Sequence, residues 1–151
     1  MKSLKTSSSR PFKVIPNSIV LAFLIVSLVG FLDATYLTAK HYLGEVPTCS
    51  LLEGCEKVLT SPYATLGRVP VALPGALYYL VIFLSLVAYV DTPRRSILRF
   101  TAYLTFFGFL TSLGFIYLQL FVLKAVCLYC MASAASSIVL FGLGIYVLKC
   151  R

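Results

Sequence analysis

The chain has 151 residues, of which 60% are hydrophobic and only 12% charged, and its net charge is +8. A soluble domain carries about a quarter charged residues, so this composition, with a mean hydropathy of +0.94, excludes an ordinary soluble fold and indicates an integral membrane protein. The basic excess does not indicate nucleic-acid binding, because the Lys and Arg residues fall in the gaps between apolar runs, where membrane topology signals belong.

The first apolar run covers residues 18–39 and contains one acid, Asp33. A central Asp costs roughly 2.5–3.5 kcal/mol on the insertion scale, while each Leu, Ile, Phe or Val contributes roughly 0.3–0.6 kcal/mol in favour. The run holds twelve such residues, so insertion wins. A cleaved secretory leader is the alternative, but the run is long for one and no clear A-x-A site follows it. A polar loop at 40–68 comes next, then a second run at 69–90. The remaining stretch, 97–148, would be about 75–80 Å long as one helix, against a hydrocarbon core about 30 Å thick. It must turn back once. Lys124 is its only charge between Arg99 and Lys149, which places the turn near 120–126. The expected fold is all-α, an integral membrane four-helix bundle spanning 15–148, with a segment 1–14 before it and a tail 149–151 after it.

Lys2, Lys5, Arg10, Lys13, Arg94, Arg95, Arg99, Lys149 and Arg151 fall on one side of this topology. The other side has Lys40, Lys57, Arg68 and Lys124, offset by Glu45, Glu53 and Glu56. The positive-inside rule then predicts both termini in the cytoplasm, with the first loop and the Lys124 turn on the periplasmic or extracellular side of the cell membrane. Cys49 and Cys55 in the loop and Cys127 and Cys130 at the start of the fourth helix share that oxidising side. Cys150 lies where thiols stay reduced.

A C-x-x-C at a helix start suits thiol–disulfide exchange, because free N–H groups and the helix dipole favour a thiolate at its first cysteine, Cys127. Two small buried thiols used only for packing would look the same locally. Tetrahedral metal binding would need four soft ligands, and no His accompanies the rim pair. A soft-metal transporter using the cysteine pairs as ligands is the other functional class, but only Met131 and Cys150 could continue a ligand path along the fourth helix. Cys49 and Cys55 are six apart; a continuous helix would separate them by about 9 Å, beyond the roughly 4.4–6.8 Å of a disulfide. Gly54 is expected to break the segment and let the loop fold back.

The stretch CSLLEGCEKVLTSPYATLGRVPVALPGALYY followed by CLYC resembles the vitamin K epoxide reductase family. The shared features are a loop cysteine pair, Ser61 six residues after the second of them, a Pro-Gly start to the second helix and a C-x-x-C opening the fourth. The quinone-linked DsbB family also has four helices, but its cysteine pairs come in the opposite order.

The resemblance implies that Cys130 faces a membrane quinone (menaquinone or ubiquinone), that Cys127 exchanges with Cys55, that Cys49 meets an outside partner, and that Ser61 aids quinone reduction. Many bacterial members carry a fused thioredoxin-like domain. Here the partner is expected to be a separate thioredoxin-like or DsbA-like protein, whose oxidation would support disulfide bond formation. Animal members use an Asn at the second helix and a Tyr one turn past the C-x-x-C to hold the vitamin. This chain has Ala134 in the latter place and its only Asn is Asn17, which favours a plain quinone over an epoxide.

The small-residue run MASAASS after Cys130 suits close helix packing in lipid or room for a flat quinone head. Asp33 and Tyr36, one turn apart, suggest a helix-end hydrogen bond or proton delivery, and His41 is expected in an interfacial loop.

Overall fold

A computed structural model describes residues 15–45, 47 and 54–149. Four helices are long and apolar enough to cross a membrane. The first, α1 (Asn17–Leu43), has 27 residues, about 40 Å at 1.5 Å per residue. It runs a turn past the end of the apolar stretch, so Lys40 and His41 belong to its last turn rather than to a loop. It ends at Gly44, which is left-handed at φ 70. There the Gly44 N–H bonds the His41 carbonyl at 3.1 Å and the Glu45 N–H bonds the Lys40 carbonyl at 3.0 Å, a Schellman closure. The Lys40 ammonium pairs with the Glu45 carboxylate across it, and this partner holds the exposed Glu45 carboxyl below its ordinary range.

The connection to the second membrane helix is more ordered than a polar loop suggests. It contains a short helix, α2 (Gly54–Leu59), and a two-residue antiparallel hairpin, β1 (Thr65–Leu66) with β2 (Val69–Pro70), in which Thr65 faces Pro70 and Leu66 faces Val69. Helix α3 (Ala72–Asp91) follows. Helix α4 (Arg95–Tyr117) continues into a π-helical segment, Leu118–Leu123. Lys124 then takes a left-handed φ of 48 and reverses the chain into α5 (Leu128–Lys149). The reversal falls at the one charge in the long apolar stretch.

Each long helix packs against two neighbours: α1 against α3 and α5, and α4 against α3 and α5. Phe23, Tyr79, Ile82, Leu86 and Leu140 form the closed centre. Leu21, Ile25, Leu32, Leu84 and Phe107 are among the large apolar residues left facing outward, as helices surrounded by lipid require. Close approach is set by small residues: a Cβ at Gly30 would lie 2.4 Å from the Tyr79 ring, and one at Gly144 would lie 2.5 Å from Thr105 Oγ1. The Tyr79 hydroxyl crosses the bundle from α3 to α5. It donates to the Ser133 carbonyl at 2.6 Å and lies 2.8 Å from Ser137 Oγ.

Candidate active site

The loop and the α4–α5 turn meet at one end of the bundle. Cys55 sits in the first turn of α2 and Cys127 just before α5, and the two fall in one buried cluster with Val58. Leu59, Leu123, Ala125, Tyr129 and Cys130 surround it. Cys127 is 0% exposed and Cys55 2% exposed. Cys55 is in a disulfide, while Cys127 and Cys130 are free thiols. Cys49, a predicted site residue, and Cys150 lie outside the described residues.

Gly54 explains how the loop comes so near, through a contact its sequence did not suggest. It stands at the first described residue of α2, and the segment before it, where the expected break would fall, lies outside the described residues. A Cβ at this position would lie 2.5 Å from the Val126 carbonyl oxygen and 2.7 Å from the Val126 nitrogen. Hydrogen is the only side chain that fits against the backbone preceding Cys127.

Cys127 occupies the N-terminal boundary of α5, where its carbonyl accepts the Met131 N–H at 3.0 Å. Its own N–H donates to the side-chain oxygen of Gln119 at 2.9 Å. The Cys130 thiol, hydrogen-bonded to Cys127, holds the Cys127 thiol well below its ordinary value, against the opposing effect of burial. The backbone N–H groups of Tyr129 and Cys130 at the helix start act in the same direction, as smaller causes.

Cys130, one turn further on, opens onto a cavity of about 660 Å³, within the ordinary range for a small-molecule site. Ser133, Ala134 and Ser137 line it from α5, Tyr78 and Tyr79 from α3, and Gln119 from the π-helical segment. Ser61 and the loop around it form another wall. The Ser61 hydroxyl donates to the Val58 carbonyl at 2.7 Å, leaving oxygen lone pairs free. The small residues of MASAASS therefore supply both close packing and cavity wall. Cys55, Cys127, Cys130, Ser61 and Ala134 are all brought together at this one end.

Two expectations near the site change. Asp33 makes no helix-end hydrogen bond: its Oδ2 is buried without a hydrogen-bond partner among the described residues. Tyr36 instead packs against the Tyr129 ring, with centroids 5.4 Å apart. His41 is helical and lines the cavity. Gln119 had not been singled out, although it is the only Gln in the chain and a lone amide in a long apolar run eight residues before Cys127. Among the described residues no three His, Cys, Asp or Glu side chains gather as a metal site.

A four-helix membrane bundle whose C-x-x-C turns one thiol toward a second cysteine and the other toward an apolar cavity has the anatomy of a membrane-embedded thiol redox protein. The model of the vitamin K epoxide reductase family matches residues 21–145. The chain belongs to that family, and is a membrane thiol oxidoreductase. No curated protein matches it significantly.

Proposed function

We propose that the protein oxidises a separate thioredoxin-like or DsbA-like protein outside the cytoplasm and passes the electrons to a membrane quinone, sustaining disulfide formation. The observation that carries this reading is the division of labour within CLYC: Cys127 is shut into a cluster with Cys55, while Cys130 opens onto the cavity.

In the first exchange a partner thiolate attacks Cys49 of a Cys49–Cys55 disulfide. The second partner thiol resolves the mixed disulfide, leaving the partner oxidised and the loop reduced. Cys55 then attacks Cys127 of a Cys127–Cys130 disulfide, and Cys130 departs as the thiolate. Cys49 closes on Cys55, expelling Cys127 as the thiolate that its environment favours. The rim pair is then a dithiol and the loop a disulfide. The cavity suits a quinone head in size and in its mixture of apolar wall with a few polar groups. Cys130, Ser61 and Ala134 would hold that head. A bound quinone supplies the electron sink, taking two electrons and two protons as Cys127 and Cys130 close to a disulfide.

Four crossings return the chain to its starting side, and the excess of Lys and Arg on that side supports its being the cytoplasm. A membrane domain at 15–148 with cytoplasmic segments at 1–14 and 149–151 follows.

The test uses the protein in proteoliposomes, a reduced DsbA-like donor and menadione as acceptor. Wild type should oxidise donor continuously with matching quinone loss. Cys130→Ser should oxidise one donor equivalent per chain through the loop and then stop. Continued quinone reduction by that variant would overturn the assignment.

A further inference from the structure

Gln119 is 2% exposed and sits in the π-helical segment, a local irregularity often found at functional sites. Its backbone carbonyl accepts the Ala125 N–H at 3.1 Å and the Lys124 N–H, which shapes the turn into α5. Its side chain is equally constrained. The Cys127 N–H, 2.9 Å away, can be satisfied only by an oxygen, so the amide oxygen must face Cys127. The amide nitrogen is thereby turned the other way. It is not one of the fully buried side-chain atoms left without a partner among the described residues; Gln119, almost wholly buried as a residue, lines the same cavity as Cys130, which is where this nitrogen can be reached. An amide N–H pair at a cavity wall, with its own oxygen already committed to the Cys127 N–H, is a donor for whatever acceptor the cavity holds.

We propose that Gln119 is a bifunctional positioning residue: its Oε1 anchors the Cys127 N–H, and its Nε2 presents a hydrogen-bond donor to a carbonyl oxygen of the acceptor held beside Cys130. This rests on the quinone reading and deepens it. One rigid amide ties the placement of the C-x-x-C to that of the acceptor head. The donor also stabilises negative charge building on the carbonyl oxygen as electrons arrive, because it is fixed in advance in a dry site. The ligand chemistry required is a flat, apolar ring bearing a carbonyl acceptor.

The test compares menadione with 2-methylnaphthalene, which has the same methylated ring frame without the two carbonyls. Binding is measured at equilibrium on full-length protein in nanodiscs, in a Cys130→Ser background so that no turnover occurs. Gln119→Met keeps side-chain length and removes the donor. It should weaken menadione binding about three- to tenfold, the effect of one neutral hydrogen bond, and leave 2-methylnaphthalene unchanged. The infrared carbonyl stretch of bound menadione should shift to higher frequency in the variant. Gln119→Glu, which retains an acceptor for Cys127, is the second variant should Met disturb the turn, and it should weaken menadione in the same selective way. Equal loss for both ligands, or unchanged menadione affinity and carbonyl frequency, would overturn the role of Gln119. Failure of menadione to bind or be reduced by the protein with its native cysteines and Gln119 would instead overturn the quinone reading.

Discussion

Replacing Gly54 by Ala tests whether the loop's close seat is what couples the two cysteine pairs. The new Cβ would stand 2.5 Å from the Val126 carbonyl oxygen, whereas ordinary contact begins at 3.4 Å. The obstacle is backbone, which cannot rotate aside, so α2 must withdraw by about 0.9 Å or fail to dock. Overpacking of this kind costs about 1–3 kcal/mol, which lowers the docked population by roughly 5- to 150-fold. Displacement of reacting atoms by about 1 Å alone can reduce a rate about 10²-fold. The expected outcome is a fall of one to two orders of magnitude in electron transfer from the reduced loop to the rim disulfide, followed by acid quench and mass spectrometry of the Cys55 and Cys127 peptides. Because Cys127 is 0% exposed beneath Cys55 and Val58, the variant should also make the reduced Cys127 react faster with a small alkylating reagent. A simple loss of fold would abolish the cooperative thermal transition of the bundle, whereas loss of docking alone would leave the four membrane helices packed on one another. Normal transfer together with an unreactive Cys127 would refute the reasoning.

Two further outcomes follow from the site. The Cys130 thiol holds Cys127 below the ordinary thiol range, near ~8.5, so the thiolate survives as pH falls through that range and is lost only below the lowered value. Alkylation of reduced Cys127 in the Gly54→Ala background should therefore have a midpoint below that of a free cysteine, and adding Cys130→Ala should move it up; a midpoint unaffected by Cys130 would contradict the assigned cause. Tyr79→Phe removes the hydroxyl that joins α3 to Ser133 and Ser137 of α5, and should destabilise the bundle by about 0.5–1.5 kcal/mol per hydrogen bond lost. Thermal unfolding in detergent reads this, and an unchanged Tm would show that the bridge does not hold the helices.

The parts legible in the sequence were those governed by local chemistry and by length. The stretch 97–148 is too long to cross once, and its single charge marks the reversal, which Lys124 makes in a left-handed conformation. The order and spacing of the cysteines, with Ser61 and the C-x-x-C, carried the family. What could not be read depends on contacts between distant segments. Gly54 was expected to serve its own backbone; that its absent side chain makes room for Val126, 72 positions later, could not be read from it. Gln119 looked like one polar residue in an apolar run until the fold set its oxygen on the Cys127 N–H. The tiny hairpin of β1 and β2 lacks an alternating apolar pattern long enough to announce a strand.

The segment bearing Cys55 also supplies Val58, Leu59, Ser61, Tyr63 and Ala64 to the cavity wall. Carrier and roof are thus a single piece of chain. Under the proposed cycle, any movement of this segment as Cys49 meets the external partner would also shift that roof. Departure of the spent acceptor into the bilayer would then be tied to reloading of the loop, much as an airlock admits one passage per cycle. A relay built this way keeps thiol consumption and acceptor exchange in step without needing a separate gate.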